Sequence, residues 1–255
     1  MERKVNIIGA GLAGCECAYI LAKNGIKVKL YEMKPDYKSE AHKSNDFAEL
    51  VCSNSLKSES LTNACGLLKK EMEMLGSLFI EAAYNARVPA GQALAVNRDI
   101  FSKYITDKIK DNRNIEVVYK KIDNLDEIEG IKVVATGPLT DNTLMNNLKE
   151  KIGQEDLYFY DAAAPIISRD SINMSIAYWG DRYEQERQKS ESIEEWKERL
   201  SKLPEADYLN LPMNKEEYEN FCNELVNAEV VTLHDFEKKE IFEGCMPIEV
   251  MAKEE

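Results

Sequence analysis

Histidine is nearly absent from this chain: there are two among 255 residues. No two of the six cysteines form a C-x-x-C pair. Zinc sites draw on such pairs and on clustered histidines, so the composition argues against a bound metal. Nor does any stretch approach 18 consecutive apolar residues, so no helical membrane span is expected. The opening "MERKVNIIGAG" runs straight into a strand-like segment, with no apolar signal region and cleavage site. The sequence therefore points to the cytoplasm. There Cys15, Cys17, Cys52, Cys65, Cys222 and Cys245 are expected to stay reduced, most of them as small buried hydrophobes. Basic charge is also scarce, with 33 Lys and Arg against 46 Asp and Glu and a net charge of −13. That excludes a surface gripping nucleic acid along its whole length, though not a local basic groove. Internal repeats and low-complexity linkers are missing too. What remains is 44% hydrophobic residues, enough for a core, over a length that suits one large or two modest domains.

The most informative stretch is "KVNIIGAGLAGCECAYILAKNGIKVKLYEM". Val5 to Ile8 reads as a strand buried on both faces. Gly9, Gly11 and Gly14 follow as G-x-G-x-x-G, within the run Gly9, Ala10, Gly11, Leu12, Ala13, Gly14. Ala13, Cys17, Ile20 and Leu21 recur at helical spacing. Asn24-Gly25 offers a left-handed helix end. Val28 to Tyr31 reads as a second strand, and Glu32 stands at its end, 18 residues after Gly14. Each part has a mechanical role. Gly9 permits a tight turn, Gly11 lets a pyrophosphate approach the backbone, and Gly14 lets helix and strand pack closely. The helix N-terminus presents free N–H groups to phosphate, and Glu32 can accept bonds from ribose hydroxyls. Strand before, helix after and acid at the next strand end are the context that makes this fingerprint specific. The pattern alone leaves FAD and NAD open.

Further on, "CSNS" reads as a small polar turn suited to close approach by a ligand. Thr62-Asn63 caps a helix expected from about Ala64 to Ala86, with Leu67, Leu68, Met72, Leu75, Leu78, Phe79 and Ala82 facing the core. A second helix is expected to turn Ile100, Tyr104, Ile105 and Ile109 to one side. "IEVVYKKI" and "IKVVATGPL" read as strands, the latter buried and ending in Ala135-Thr136-Gly137. An A-T-G strand end is frequent in two-dinucleotide flavoproteins, and beside the first fingerprint it tips the choice to FAD. Ile193, Trp196 and Leu200 mark a charged surface helix. Asn214 with Glu217 three residues later predicts a capping box, on a helix turning Tyr218, Phe221, Cys222 and Leu225 inward.

"FAELVCSNSL", "TNACGLLKKEM", "PAGQALAVNR", "ATGPLT", "YFYDAAAPI" and "FEGCMPIEVMA", together with "IGAGLAG", resemble the bacterial FAD- and folate-dependent tRNA uracil-5-methyltransferases (TrmFO) over essentially the whole chain. Related GidA-type flavoproteins share the fingerprint and the A-T-G strand but lack "ELVCSNSL". The resemblance implies an α/β fold: a Rossmann-like FAD-binding domain with an inserted α+β substrate domain. It divides the chain into residues 1–165, the FAD-binding domain with a small embedded α/β insertion around 85–125, and residues 166–255, the start of the substrate domain. FAD would be held by Gly9 to Gly14 with Glu32, and by Thr136 and Gly137. The co-substrates implied are 5,10-methylenetetrahydrofolate as one-carbon donor and NAD(P)H as electron source. The implied product is 5-methyluridine in the T-loop of tRNA, with ribosomal RNA as the alternative substrate. A cysteine adds to carbon 6 of the uracil, which makes carbon 5 nucleophilic. A second cysteine, matching Cys52, lies near the flavin and is also needed.

Three departures stand out. The family's N-C-P-M is "NLPM" here, so Leu211 occupies the place of the attacking cysteine and is not catalytic. The charged stretch from about Gln185 to Ala206 is longer than usual. The chain ends earlier than its relatives, which implies a fragment that lacks part of the folate and RNA site, leaves a sheet edge open and binds FAD weakly. Leu211 has three readings: a relative without methyl-transfer activity, attack by another thiol with Cys52 the best placed and Cys222 a poor one, or a changed RNA target.

Overall fold

A computed structural model describes residues 4–39, 41–51, 53–153, 168–180, 191–201, 208–229 and 252–253. The chain divides into two compact units, Met1–Val88 with Leu94–Asp161, and Pro89–Ala93 with Ala162–Glu255.

In the first unit the chain order is β1 (Lys4–Ile8), α1 (Leu12–Lys23), β2 (Lys27–Glu32), β3 (Ser55–Ser58), α2 (Ala64–Met74), α3 (Leu78–Asn85), β4 (Arg87–Val88), β5 (Ala93–Val96), α4 (Arg98–Lys110), β6 (Ile115–Tyr119), β7 (Ile131–Val134) and α5 (Asn142–Ile152). The main sheet is parallel with strand order β6-β2-β1-β7, and a smaller sheet has the order β3-β5-β4. This is the expected α/β, Rossmann-like architecture. Alternation along the strands explains why both faces are covered. Val5, Ile7, Val28 and Leu30 point into one core with Phe47, Leu78, Phe101, Ile105 and Ile109. Ile8 and Tyr31 point the other way, onto Ile122, Leu125, Ile128 and Leu144. The buried Asn6 joins this second face differently: its Nδ2 donates to the carbonyls of Glu129 at 2.9 Å and Ile131 at 3.3 Å.

The end of α1 follows its sequence signal. Gly25 has φ +77°, its N–H bonds to Ala22 O, and Ile26 N–H bonds to Leu21 O, the paired closure of a Schellman turn. The same device corrects the expected single helix over 64–86. Gly76 has φ +75°, Gly76 N–H reaches Glu73 O, and Ser77 N–H reaches Met72 O. Ser77 then caps α3 by accepting from Ile80 N–H. The chain therefore changes direction at Gly76, and the predicted stripe splits. Leu78 and Ala82 are buried, whereas Leu67, Leu68 and Leu75 lie exposed, Leu75 to 78%. What α2 buries instead is Gly66 and Lys69. A Cβ at Gly66 would lie 2.0 Å from Ser60 O, and Lys69 Nζ donates to Ser58 O at 3.2 Å.

Two further expectations change. On α4 the inward stripe is Phe101, Ile105 and Ile109, at four-residue spacing from the Asn97 cap, and Ile100 is exposed. Among the described strands β7 lies at the edge of the sheet rather than buried within it, with Ile131 exposed to 63%. Within the segment 85–125, α4 and β6 belong to the first unit, and β6 pairs with β2 in the main sheet.

The second unit holds β8 (Tyr178–Trp179), α6 (Ile193–Ser201), β9 (Leu209–Asn210) and α7 (Lys215–Asn227). β8 and β9 pair antiparallel, and Trp196 of α6 meets the Tyr178 ring edge-on at 5.3 Å. The predicted capping box of α7 is present: Asn214 accepts from Glu217 N–H, and Glu217 accepts from Asn214 N–H. Its predicted inward face is not formed among the described residues. Tyr218 and Phe221 are exposed, and Cys222 and Leu225 are only partly covered.

Candidate functional site

The chain leaves β1 through Gly9, whose N–H donates to Tyr31 O at 2.8 Å. At φ +99° Gly9 occupies backbone space that a side chain disfavours, and a Cβ would lie 2.7 Å from Ala135 O. Gly14 packs the first turn of α1 directly onto this loop, where a Cβ would lie 1.9 Å from Gly9 O. Both glycines are demanded by the protein's own packing. Gly11 is different. Its φ of −74° suits any residue, and a Cβ there would meet nothing nearer than Ala135 O at 3.9 Å. What Gly11 keeps open is a cradle in front of α1.

That cradle has the right chemistry for a dinucleotide pyrophosphate. The helix begins without a side-chain cap and without an acid in its first turn. Its leading N–H groups and its partial positive charge face outward. A cleft with an open volume of about 700 Å³ lies beside it. Gly9, Ala10, Gly11, Glu32 and Thr136 all line this cleft. Leu12, Ala13, Gly14 and Gly137 support it from outside its walls. Leu12 packs against the core, Ala13 is exposed at the helix start, and Gly137, at φ +67°, turns so that its carbonyl accepts from Thr140 Oγ1 at 2.7 Å. Thr136 and Thr140 hydroxyls lie 2.6 Å apart on the same wall.

Glu32 is 6% exposed, and its carboxylate ties two loops together. Oε2 accepts from Ala10 N–H at 3.0 Å and Oε1 from Lys34 N–H at 2.9 Å. Each oxygen retains a lone pair for a ligand hydroxyl. The residues that sequence reading missed lie next to it. Ala48 N–H donates to Ala10 O at 2.9 Å and brings the 42–49 segment onto the glycine loop. Lys34, His42 and Glu49 thereby become cleft walls. Lys34 is 4% exposed; its Nζ donates to Asp46 O and lies 3.7 Å from Glu49 Oε2. His42 Nδ1 pairs with Ser39 Oγ at 2.7 Å. Burial, then the neighbouring Lys34 charge, pushes its imidazole below the ordinary range, which favours the neutral ring. The signals available were the lysine two residues after Glu32 and the acid within the apolar run Phe47 to Val51.

The cysteines divide clearly. Cys15 lies under the loop with Sγ donating to Ala10 O at 3.3 Å, and burial pushes its thiol far above the ordinary range, so it is no nucleophile. Cys17 is raised by burial as well. Cys52 lies outside the described residues. Leu211 follows β9 in the second unit, 52% exposed, in a loop held by Asn210 Nδ2 donating to Gly180 O at 2.9 Å. Among the described residues no three His, Cys, Asp or Glu side chains converge, and no helix is long and apolar enough to cross a membrane.

Comparison with known proteins agrees with this geometry. A protein named "Methylenetetrahydrofolate--tRNA-(uracil-5-)-methyltransferase TrmFO" from Lactobacillus helveticus is 50% identical over 252 residues, covering 99% of this chain and 57% of its own. Proteins of the same name from Acetivibrio thermocellus and Thermotoga maritima are 51% and 49% identical, each covering 98% of this chain and 53% of their own. The chain thus spans about half the length of these relatives. A solved 2-methyl-3-hydroxypyridine-5-carboxylic acid oxygenase overlaps 45% of this chain and 31% of its own, at 14% identity and a TM-score of 0.29, too low to bear on the fold. The sequence profile described as "Glucose inhibited division protein A" matches residues 4–255, and the chain belongs to the GidA family.

Proposed function

We propose that this chain is the FAD-binding part of a cytoplasmic RNA uracil-5-methyltransferase that uses 5,10-methylenetetrahydrofolate and NAD(P)H to form 5-methyluridine in the T-loop of tRNA. The observation that carries this reading is the Gly11 cradle. It is a glycine that the fold does not need, at an uncapped helix start beside Glu32, in a chain half identical to proteins named for that reaction. Bound there, FAD would supply the redox chemistry that brings a folate-borne one-carbon unit to the methyl level.

The chain's own residues take the remaining roles. Gly9 to Gly14 and the N–H groups of α1 hold the pyrophosphate, and Glu32 orients a ribose. Thr136 and Gly137 shape the opposite wall. Cys52 supplies the thiolate. It adds to carbon 6 of the uracil, and the electron pair of the carbon 5–carbon 6 double bond moves onto the ring carbonyl as an enolate. Carbon 5 then takes the one-carbon unit and loses its proton, and the electron pair left behind re-forms the carbon 5–carbon 6 double bond and breaks the carbon 6–sulfur bond, releasing the thiolate. Residues 1–165 and 166–255 are assigned to the FAD-binding and substrate domains.

Leu211 supports a second reading, a relative that binds flavin and RNA without methyl transfer. One assay separates the two. The chain is supplied with FAD, methylenetetrahydrofolate, NADPH and unmodified tRNA or ribosomal RNA, and nucleosides are quantified. Appearance of 5-methyluridine in tRNA is the expected result. Its appearance only in ribosomal RNA moves the substrate, and its absence from both, with FAD bound and with Leu211→Cys restoring it, selects the non-catalytic relative.

A further inference from the structure

Among the described residues, Glu49 lines the cleft with one carboxylate oxygen bonded and the other buried without a hydrogen bond. Oε1 accepts from Lys43 N–H at 2.9 Å and from Ser44 N–H at 3.1 Å. Oε2 is buried and has no hydrogen-bond partner among the described residues. Its neighbour Lys34 Nζ, at 3.7 Å, is too far for a hydrogen bond and is already directed to Asp46 O. A buried acceptor without a donor forfeits its hydration with nothing in return, so an orphan of this kind in a cleft wall calls for a ligand donor. Burial acts to raise the Glu49 carboxyl, but the two backbone N–H bonds and the Lys34 charge outweigh it and hold the group below the usual carboxylate range. The oxygen is thus an anionic acceptor that faces the Lys34 charge but, among the described residues, accepts no hydrogen bond.

Its position narrows the donor. Glu32 and Glu49 are joined through one residue: Lys34 N–H bonds Glu32 Oε1, and Lys34 Nζ faces Glu49 Oε2. Glu32 marks the adenosine end of a dinucleotide in this architecture. We infer that Glu49 Oε2 is a ligand-binding atom that accepts a hydrogen bond from a neutral donor on the adenosine half of the bound dinucleotide, either a ribose hydroxyl or the exocyclic amine. This rests on the FAD reading above and adds to it a second acid that sequence reading does not connect with the cofactor.

A double-mutant cycle tests it, with Glu49→Gln on one side and the ligand on the other. Glutamine keeps an oxygen for the Lys43 and Ser44 amides and puts an NH₂ donor where Oε2 stood. Binding of ADP, 2′,3′-dideoxy-ADP and inosine diphosphate is measured by calorimetry on the whole chain, with thermal melting of each unliganded variant. For the wild type, one analogue should bind at least about tenfold more weakly than ADP, and Glu49→Gln should shrink that difference by about tenfold, about 1.4 kcal/mol, leaving only what Glu32 contributes. Loss of discrimination with the dideoxy analogue identifies the ribose, and with the inosine analogue the amine. Discrimination that is unchanged in the variant for both analogues overturns the inference while leaving the FAD reading intact. A wild type that binds neither FAD nor ADP overturns both. If Glu49→Gln melts more than about 5 °C below the wild type, Glu49→Asp takes its place in the same cycle. Aspartate keeps the charge facing Lys34 but withdraws the oxygen by one carbon, so it predicts the same loss of discrimination.

Discussion

Gly14→Ala is expected to destabilise the first unit by about 3 kcal/mol or more, whereas Gly11→Ala should leave stability within about 0.5 kcal/mol and weaken FAD binding about 100-fold. The two positions are three residues apart in one motif, yet they serve different masters. At Gly14 the added methyl would lie 1.9 Å from Gly9 O and 3.0 Å from Gly9 C, both backbone atoms. Neither can swing aside. Gly9 is pinned by its bond to Tyr31 O, and the neighbouring Ala135 N–H is bonded to Ile8 O. Relief requires α1 to lift from β1, and Ala18 and Ala22 of α1 belong to the central core. At Gly11 the same methyl meets no protein atom closer than 3.9 Å. It fills only the space before the helix N-terminus, where a phosphate oxygen must come within hydrogen-bond distance of the backbone. Urea unfolding followed by circular dichroism, paired with FAD titration, separates the two effects. Equal destabilisation by both substitutions would show that Gly11 is structural and remove the argument for the cradle.

Cys52→Ala should lower 5-methyluridine formation by about a thousandfold or more, with FAD affinity unchanged. Carbon 5 of a conjugated uracil is a poor nucleophile. Covalent addition at carbon 6 replaces one hard step by two easier ones, and only a polarizable, easily expelled group serves. Of the described cysteines, Cys15 and Cys17 have thiols raised by burial, which lowers their thiolate fraction at neutral pH. The contrasting substitution is Leu211→Cys. Leu211 is 52% exposed on a loop, so the exchange should cost under about 0.5 kcal/mol of stability. Activity already present in the natural chain and lost in Cys52→Ala supports Cys52 as the attacking thiol. Survival of that activity rejects it. Methylation that appears only in Leu211→Cys identifies the natural chain as a non-methylating relative.

Local rules were readable along the chain, and long-range consequences were not. The Asn24-Gly25 helix end and the Asn214 capping box depend on neighbours within a few residues, and the strand–helix–strand unit from β1 to Glu32 closes within one turn of the fold, so pattern alone shows them. Gly76-Ser77 was equally local, a left-handed glycine followed by a capping serine. There the apolar periodicity from Leu67 to Ala82 was given precedence, and it hid the break. Ile131 misled for another reason: an apolar strand reads as buried, but exposure depends on which strand lies at the sheet edge. The Lys34–Glu49 pairing lay beyond reach. It exists because Ala48 bonds Ala10, a contact across 38 residues that no periodicity announces.

The claim on which the rest depends is that the cleft beside Gly11 takes FAD. Equilibrium titration of the purified chain with FAD, read by flavin fluorescence and by calorimetry, tests it most directly. Saturable one-to-one binding is expected, with a Kd on the order of micromolar, competed by ADP and weakened by Gly11→Ala. Absence of saturable binding up to about a millimolar FAD, by a chain whose circular dichroism confirms that it is folded, would contradict it.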